Sequence, residues 1–187
     1  LGIDQPSPAR IANSPGVRSL DHGKVAPITH FALLAQNYMQ QYGVSPEAFG
    51  QVAVKNSRNA ANNPNAQKQR ALTLDEVMAG EALSGVLTKR QCCPIGEGAA
   101  AVIVASEEAM IKHGIDANRA VKVLSSVLSS EKVYKNATNF DAELTSHTTK
   151  RALQDAGITA QQLDIIELHD AFSVEELFYL ESMGVAA

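Results

Sequence analysis

One stretch near the C-terminal end of the chain, residues 163–173, restricts the fold more than any other. The run Leu163–Leu168 has the apolar pattern of a buried strand, and His169 and Asp170 follow it directly. A helix is predicted to begin at Ser173, where Ser-Val-Glu-Glu matches a capping box. In α/β proteins, reaction sites form where strand ends meet helix N-termini. The stretch therefore predicts an α/β fold with a functional edge at His169.

The first part of the chain, up to about residue 85, predicts helices and irregular segments. Residues 1–25 hold several prolines and glycines and are expected to be extended and irregular. Helices are predicted over 28–42, from Pro46 onward, and after a capping box at Thr73.

The second part alternates strand and helix patterns. The apolar run over 99–105 is typical of a strand covered on both faces, and 120–129 alternates like a half-buried strand. Helices predicted after Ser106 and over 141–156 separate these runs from each other and from the strand at 163–168. The order indicates an α/β protein with an appended helical part.

Composition excludes several classes of protein. The 187 residues are 45% hydrophobic, which is enough for a real core, and 19% charged, which favours a well-buried protein, alone or as an oligomer, over a disordered chain. A net charge of -4 without a basic run argues against nucleic-acid binding. No apolar run reaches the ~20 residues that span a bilayer. The two cysteines, Cys92 and Cys93, are adjacent, which indicates a reducing, intracellular environment and, without Cys-x-x-Cys spacing, no metal site.

His169 is the first candidate for chemistry, because a histidine can donate to an oxyanion or exchange a proton near neutral pH. The alternative is a core histidine satisfied by a backbone carbonyl. Asp170 has two interpretations as well: part of the site, or a structural residue that holds the turn before the helix.

Two further segments are candidates. In the loop 90–99, Gly96 and Gly98 would let the backbone approach a ligand, or the small residues merely pack. Cys93 in this loop is a conceivable nucleophile, although no histidine neighbours it in sequence. The amide-rich run 55–64 would contact phosphates or a neighbouring subunit, or it is a solvated helix end.

Together these segments resemble one family, the sterol-carrier-protein type of thiolases. Four motifs occur in that family's order: Val54-Lys55-Asn56 with Asn62-Asn63-Pro64; Leu74-Asp75-Glu76-Val77-Met78; Gln91-Cys92-Cys93-Pro94 with Gly98-Ala99-Ala100-Ala101; and Ile166 to Phe172 with Glu176-Leu177. The resemblance extends from about residue 25 onward.

The resemblance implies a partial thiolase-like fold, in which a loop domain is inserted into the first of two β-α-β-α-β-α-β-β halves. On this template residues 1–85 correspond to the loop domain, 86–118 to the end of the first half, and 119–187 to the truncated start of the second. Thiolases are usually dimers or tetramers, so a homo-oligomer is expected.

The chemistry implied is that of an acyl-CoA acyltransferase in lipid oxidation: a cysteine nucleophile splits a 3-ketoacyl-CoA, and CoA takes the acyl group. His169 matches the catalytic histidine of the His-Asp-x-Phe motif. Phe172 matches the motif's packing aromatic and is expected among the substrate-binding residues. Cys93 falls where many thiolases have a serine facing the pantetheine arm, so Cys93 and Pro94 are expected to line the substrate wall. Coenzyme A enters as a substrate, and the resemblance implies no other cofactor.

The family's nucleophilic cysteine, its Gly-His-Pro histidine and its second catalytic cysteine match no residue here. We therefore expect a partial chain, also indicated by the missing initiator Met, that is inactive alone. A thiolase-fold retro-aldolase and a non-catalytic lipid- or CoA-binding protein remain alternatives; a cysteine at the nucleophile position would favour thiolysis. No targeting signal is visible, so the compartment is expected to be cytoplasmic for a bacterial parent and peroxisomal for a eukaryotic one.

Overall fold

Helices make up most of the regular structure in residues 26–132 and 139–186, the part of the chain that the computed structural model describes. The helices are α1 (Ala26–Tyr42), α2 (Pro46–Ala61), α3 (Leu74–Met78), α4 (Glu107–Lys112), α5 (Phe140–Ala156) and α6 (Ser173–Ser182). Two short strands, β1 (Ala82–Ser84) and β2 (Leu87–Thr88), form an antiparallel hairpin. The irregular segment predicted for residues 1–25 lies outside the described residues.

Capping residues explain where most of these helices begin and end. At α3, Thr73 Oγ1 accepts the Glu76 N–H at 3.2 Å, and the Glu76 carboxylate accepts the Thr73 N–H at 2.9 Å. At α5 the chain leaves the helix through Gly157 at φ 70°, a left-handed conformation that glycine adopts without steric cost. The predicted positions of these helices are confirmed.

The capping box predicted at the start of α6 is wrong by one residue. Phe172, not Ser173, is the N-cap, and its N–H donates to Glu175 Oε2 at 2.7 Å. The other acid, Glu176, turns instead to Lys55, with Nζ and Oε1 2.6 Å apart. Ser173 is therefore the first helical residue, and its hydroxyl is not used as a cap.

The core lies where α1, α2 and α6 meet. Phe49 of α2 is fully buried between Leu34 and Ala35 of α1 and Val174 and Phe178 of α6. Helix α1 contributes Phe31, Leu34, Ala35 and Tyr38, which follow the three- and four-residue spacing of one helical face. Residues far apart in the sequence thus share one apolar cluster, which holds the start of α6 against α2.

The three predicted strands at 99–105, 120–129 and 163–168 are wrong for the described chain. These segments form no ladder within residues 26–132 and 139–186, and several of their apolar side chains are exposed, with Ile103 at 92%, Leu128 at 98% and Ile165 at 81%. A strand needs a neighbour that pairs with its N–H and C=O groups. Within the described residues no segment pairs with these runs, and their apolar pattern alone cannot make a sheet.

The predicted boundary near residue 85 falls in the turn of the β1–β2 hairpin, where Gly85 has φ 51°. Beyond the hairpin, the 3-10 turn Lys89–Gln91 packs against α2 and α3. Residues on the two sides of the boundary therefore contact each other, and the division into three domains stays a prediction. None of the described helices is both long and apolar enough to cross a membrane.

Candidate functional site

A cleft of about 1180 Å³ lies between α2, the segment before α3, the loop after the hairpin and the start of α6. Two hydrogen bonds hold its outer wall: Gln67 Nε2 donates to the Ile95 carbonyl at 2.8 Å, and Ser57 Oγ accepts the Leu72 N–H at 2.9 Å. The lining includes Asn56, Ser57, residues 66–70, residues 89–94, Asp170 and Ser173.

The inner wall joins two segments that the sequence analysis singled out separately. The Cys93 N–H donates to the Ala171 carbonyl at 2.8 Å, and Cys92 forms an isolated antiparallel bridge with Phe172. The Cys-Cys-Pro loop and the His-Asp-Ala-Phe segment are therefore in direct backbone contact. Cys93 and Pro94, the predicted wall residues, both line the cleft.

Asp170 faces the cleft and is tied to α2. Asn56 Nδ2 donates to Asp170 Oδ2 at 2.8 Å, and the adjacent Lys55 pairs with the nearly buried Glu176. Burial, and then the charge of Glu176, raise the pKa of Asp170, while the bond from Asn56 and the charge of Lys55 act in the opposite direction. Of the predicted amide-rich run, Lys55 and Asn56 thus serve the contact with α6, while Arg58 is exposed.

His169 lies next to the cleft and not in its wall. Its side chain is exposed, and the lining contains Asp170 but not His169. His169 is close enough to the buried Glu175 for its charge to lower the pKa of that carboxyl, although burial raises it overall. The alternative of a walled-in core histidine does not fit this exposure, and the catalytic role of His169 stays a prediction.

Phe172, the third predicted site residue near α6, is turned toward the core. Its ring stacks on Phe31 of α1 with centroids 4.8 Å apart. It is not among the residues that line the cleft. The structure thus gives Phe172 the packing part of its predicted role, while contact with a substrate stays a prediction.

Glu175, which follows the site in the sequence, is a second buried acid besides Glu176. Glu175 is 3% exposed and accepts hydrogen bonds from the Phe172 N–H at 2.7 Å and the Tyr179 hydroxyl at 2.8 Å. Burial and the bond to Glu175 raise the pKa of Tyr179, so this hydroxyl stays a donor. The sequence analysis missed this pair, although the i,i+4 spacing of Glu175 and Tyr179 on a helix was a signal for it.

Two polar residues in the cleft lining were also missed. Gln91 and Ser173 are 3% and 4% exposed, and neither Gln91 Nε2 nor Ser173 Oγ has a hydrogen-bond partner among the described residues. Leaving a buried polar atom unpaired costs about 1–3 kcal/mol. Both residues line the cleft, while the two unpaired atoms themselves are buried.

The two adjacent cysteines differ in environment. Cys92 is half-buried, its thiol lies 3.4 Å from the Thr88 carbonyl, and burial raises its pKa to about 11. Cys93 is exposed in the cleft. With a pKa so far above neutral, the Cys92 thiol is almost entirely protonated and is a poor nucleophile.

We expect Cys93 to be alkylated much faster than Cys92. At pH 8 a pKa of about 11 leaves about one Cys92 thiol in a thousand ionised, and burial slows the reaction further. Mass spectrometry after brief treatment with iodoacetamide, with Cys92→Ser and Cys93→Ser as matched single-thiol variants, measures the two rates. Equal rates would contradict the assignment of Cys92 as the protected thiol.

Basic side chains surround the outer end of the cleft. Arg70 pairs with Glu76 at 2.7 Å, and Lys89 lies 3.6 Å from Glu81. Lys68 and Arg90 also line the cleft and are exposed. Within the described ranges, no three His, Cys, Asp or Glu side chains are grouped to hold a metal ion. The cleft therefore has a polar, thiol-containing inner end and a cationic outer end.

The fold is shared with a solved structure titled Ltp2-ChsH2(DUF35) aldolase. The TM-score is 0.70 at 24% identity, and the match covers 87% of this chain and 44% of that one. At this identity the likeness shows the fold alone. The arrangement of helices with a small sheet is thus that of part of an α/β, thiolase-like fold.

Sequence comparison adds the family, although no family model matches the chain. The chain is 36% identical over 169 residues to sterol carrier protein 2 of Gallus gallus, covering 86% of this chain and 30% of that protein. It is 35% identical over 156 residues to the benzoylsuccinyl-CoA thiolase subunit BbsB of Thauera aromatica, covering 83% and 40%. It is 30% identical over 184 residues to acetyl-CoA acetyltransferase of Methanothermobacter thermautotrophicus, covering 97% and 47%.

The chain therefore belongs to the thiolase family, as a domain of the sterol-carrier-protein type. This confirms the resemblance drawn from the four motifs. The chain spans between 30% and 47% of the length of these three relatives.

Proposed function

We propose that this chain forms part of a thiolase-family acyltransferase that cleaves 3-ketoacyl-CoA. The observation that carries the proposal is the cleft itself, whose inner wall joins the Cys-Cys-Pro loop to the segment after His169 through the bond from the Cys93 N–H to the Ala171 carbonyl. The names of the thiolase subunit and the acetyl-CoA acetyltransferase support the same chemistry. On this proposal, residues 1–85 serve as the loop domain and residues 86–118 and 119–187 as parts of the two halves.

The cleft has features that suit coenzyme A at both ends. Cys93 and Pro94 would line the path of the pantetheine arm. Lys68 and Arg90 at the rim would face the phosphates. The thioester would then reach the inner wall, close to His169.

In the proposed reaction, a cysteine thiolate attacks the keto carbon of the substrate, and the bond between the α- and β-carbons breaks. The electron pair passes to the leaving acyl-CoA as an enolate, which a proton then quenches. The thiolate of CoA next takes the acyl group from the cysteine. His169 would donate a hydrogen bond to the enolate oxygen, and Cys93 stays a wall residue.

A lipid-binding protein is the second candidate function. Relatives named sterol carrier protein 2 and non-specific lipid-transfer protein-like 2 favour it. The exposed apolar runs at 99–105 and 120–129 would supply the surface. The retro-aldolase alternative has only the shared fold in its favour. Oligomeric state and compartment remain predictions.

Coenzyme A is expected to bind the chain in the cleft. In calorimetric titration, Lys68→Ala with Arg90→Ala should weaken binding by about 5- to 10-fold, because exposed ion pairs contribute less than about 1 kcal/mol each. Lys112→Ala, an exposed residue of α4 outside the cleft, is the matched control and should leave the affinity unchanged.

The same titration separates the two candidate functions. Binding of a long-chain fatty acid without any binding of CoA would overturn the acyltransferase proposal and favour the lipid carrier. CoA binding that is insensitive to the rim substitutions would show that the phosphates lie elsewhere. Turnover of acetoacetyl-CoA with CoA, assayed in the protein that carries this chain, tests the reaction itself.

A further inference from the structure

A double contact between α2 and the start of α6 has no role in the function so far. Asn56 Nδ2 donates to Asp170 Oδ2 at 2.8 Å, and the neighbouring Lys55 lies 2.6 Å from Glu176. We propose that Asn56 is a positioning residue, which acts through Asp170 to fix His169 beside the cleft. This inference rests on the proposed function, since it assigns His169 a place in the reaction.

The first step concerns what holds His169 itself. Its side chain is exposed, and its charge acts on the carboxyl of Glu175, which follows it in the chain. The predicted strand before it forms no ladder in the described chain, with Ile165 81% exposed. The position of His169 is therefore set by the residues that follow it.

The second step concerns those following residues. The Ala171 carbonyl accepts the Cys93 N–H at 2.8 Å, and Phe172 is held by its bridge to Cys92. These contacts fix the chain on one side of the cleft. Asp170 bonds to α2 through Asn56, so this bond ties the chain to a second element that lines the cleft. Together they clamp the segment directly after His169.

The third step explains why an amide suits position 56. Asp170 is half-buried, and the charged groups that face it are Glu176, which disfavours its ionised form, and Lys55, which favours it. Asn56 adds a donor without adding charge. A carboxylate at position 56 would face two acids, Asp170 and Glu176, with only Lys55 to offset them.

The test exchanges the two partners. Asn56→Asp places two carboxylates at hydrogen-bond distance, and we expect kcat to fall on the order of 10- to 100-fold at pH 8 with a smaller change in KM. Lowering the pH to about 6 should restore part of kcat, because one proton shared between Asp170 and the new acid re-forms the bond. The double change Asn56→Asp with Asp170→Asn restores an amide–carboxylate bond in reverse and should return kcat to within about threefold of wild type.

Asn59→Asp is the matched control, because it adds the same charge at an exposed position of α2 outside the cleft. It should change neither kcat nor its pH profile. Unchanged kcat in Asn56→Asp, or a double variant that folds with the wild-type melting temperature but stays as impaired as the single one, would overturn the proposal.

A readout without turnover separates this inference from the proposed function. The imidazole resonances of His169, assigned among the five histidines with a His169→Gln spectrum, should shift in Asn56→Asp and return in the double variant. If the His169 resonances do not shift in Asn56→Asp, the positioning role of Asn56 is refuted, even where the enzyme is active. Moved and restored resonances in a protein without thiolase activity would instead retain the positioning role and reject the proposed function.

Discussion

Replacing His169 with alanine is expected to lower kcat by about 100-fold or more in the protein that carries this chain. Removing one donor from an oxyanion hole has effects of this size, since the donor stabilises charge that develops only in the transition state. The exposed ring beside the cleft is accessible to a bound thioester. Steady-state kinetics with acetoacetyl-CoA and CoA measure the effect, which should fall mainly on kcat.

His147→Ala provides the control, because His147 is an exposed histidine on α5 with no part in the cleft. Both variants should unfold at the wild-type temperature, since neither ring is buried. An unchanged kcat for His169→Ala would refute the oxyanion role. A loss of stability without a loss of kcat would instead support the packing role that its exposure argues against.

The helices were predictable because their signals are local. Thr73 with Glu76 marks the start of α3, and Gly157 marks the end of α5, each within a few residues of the sequence. A cap satisfies backbone groups of its own turn, so it needs no information from the rest of the chain. Helix α6 begins at Ser173 as predicted, but its N-cap was misassigned, because Glu175 and Glu176 both fit the capping pattern and the contact with Lys55 decides between them.

The strands were not predictable in the same way. The runs at 99–105 and 163–168 have the apolar content of buried strands, yet a strand exists only where another segment pairs with it. In the described chain the side chains of Val102 and Ile165 are exposed at 86% and 81%. The apolar pattern therefore predicted only that these segments favour the strand conformation. Whether they form strands depends on a second segment that pairs with them.

The candidate site shows the same division between local and long-range information. Motif resemblance pointed to Cys93 and His169, but the bond between Asn56 and Asp170 joins residues 114 positions apart. The unpaired atoms of Gln91 and Ser173 likewise depend on packing around them. Side-chain contacts of this kind follow from the fold and leave no periodic trace in the sequence.

Phe49→Ala is expected to lower the free energy of unfolding by about 3–5 kcal/mol, a large part of the stability of an ordinary domain. Phe49 is fully buried and packs between α1 and α6, with its ring 6.1 Å from that of Tyr38. Truncation removes the apolar contact and leaves a cavity that the surrounding helices cannot fill. Urea denaturation followed by circular dichroism measures the change.

Leu33→Ala is the matched control, an apolar truncation on α1 at a side chain that is 50% exposed. It should cost about 1 kcal/mol or less, because half of its surface is already in water. The loss in Phe49→Ala should also weaken CoA binding, since the helix that carries Asn56 and the helix that begins at Ser173 lose their common packing. A cost for Phe49→Ala as small as that for Leu33→Ala would show that α1, α2 and α6 do not share one core, and the clamp on the segment after His169 would lose its support.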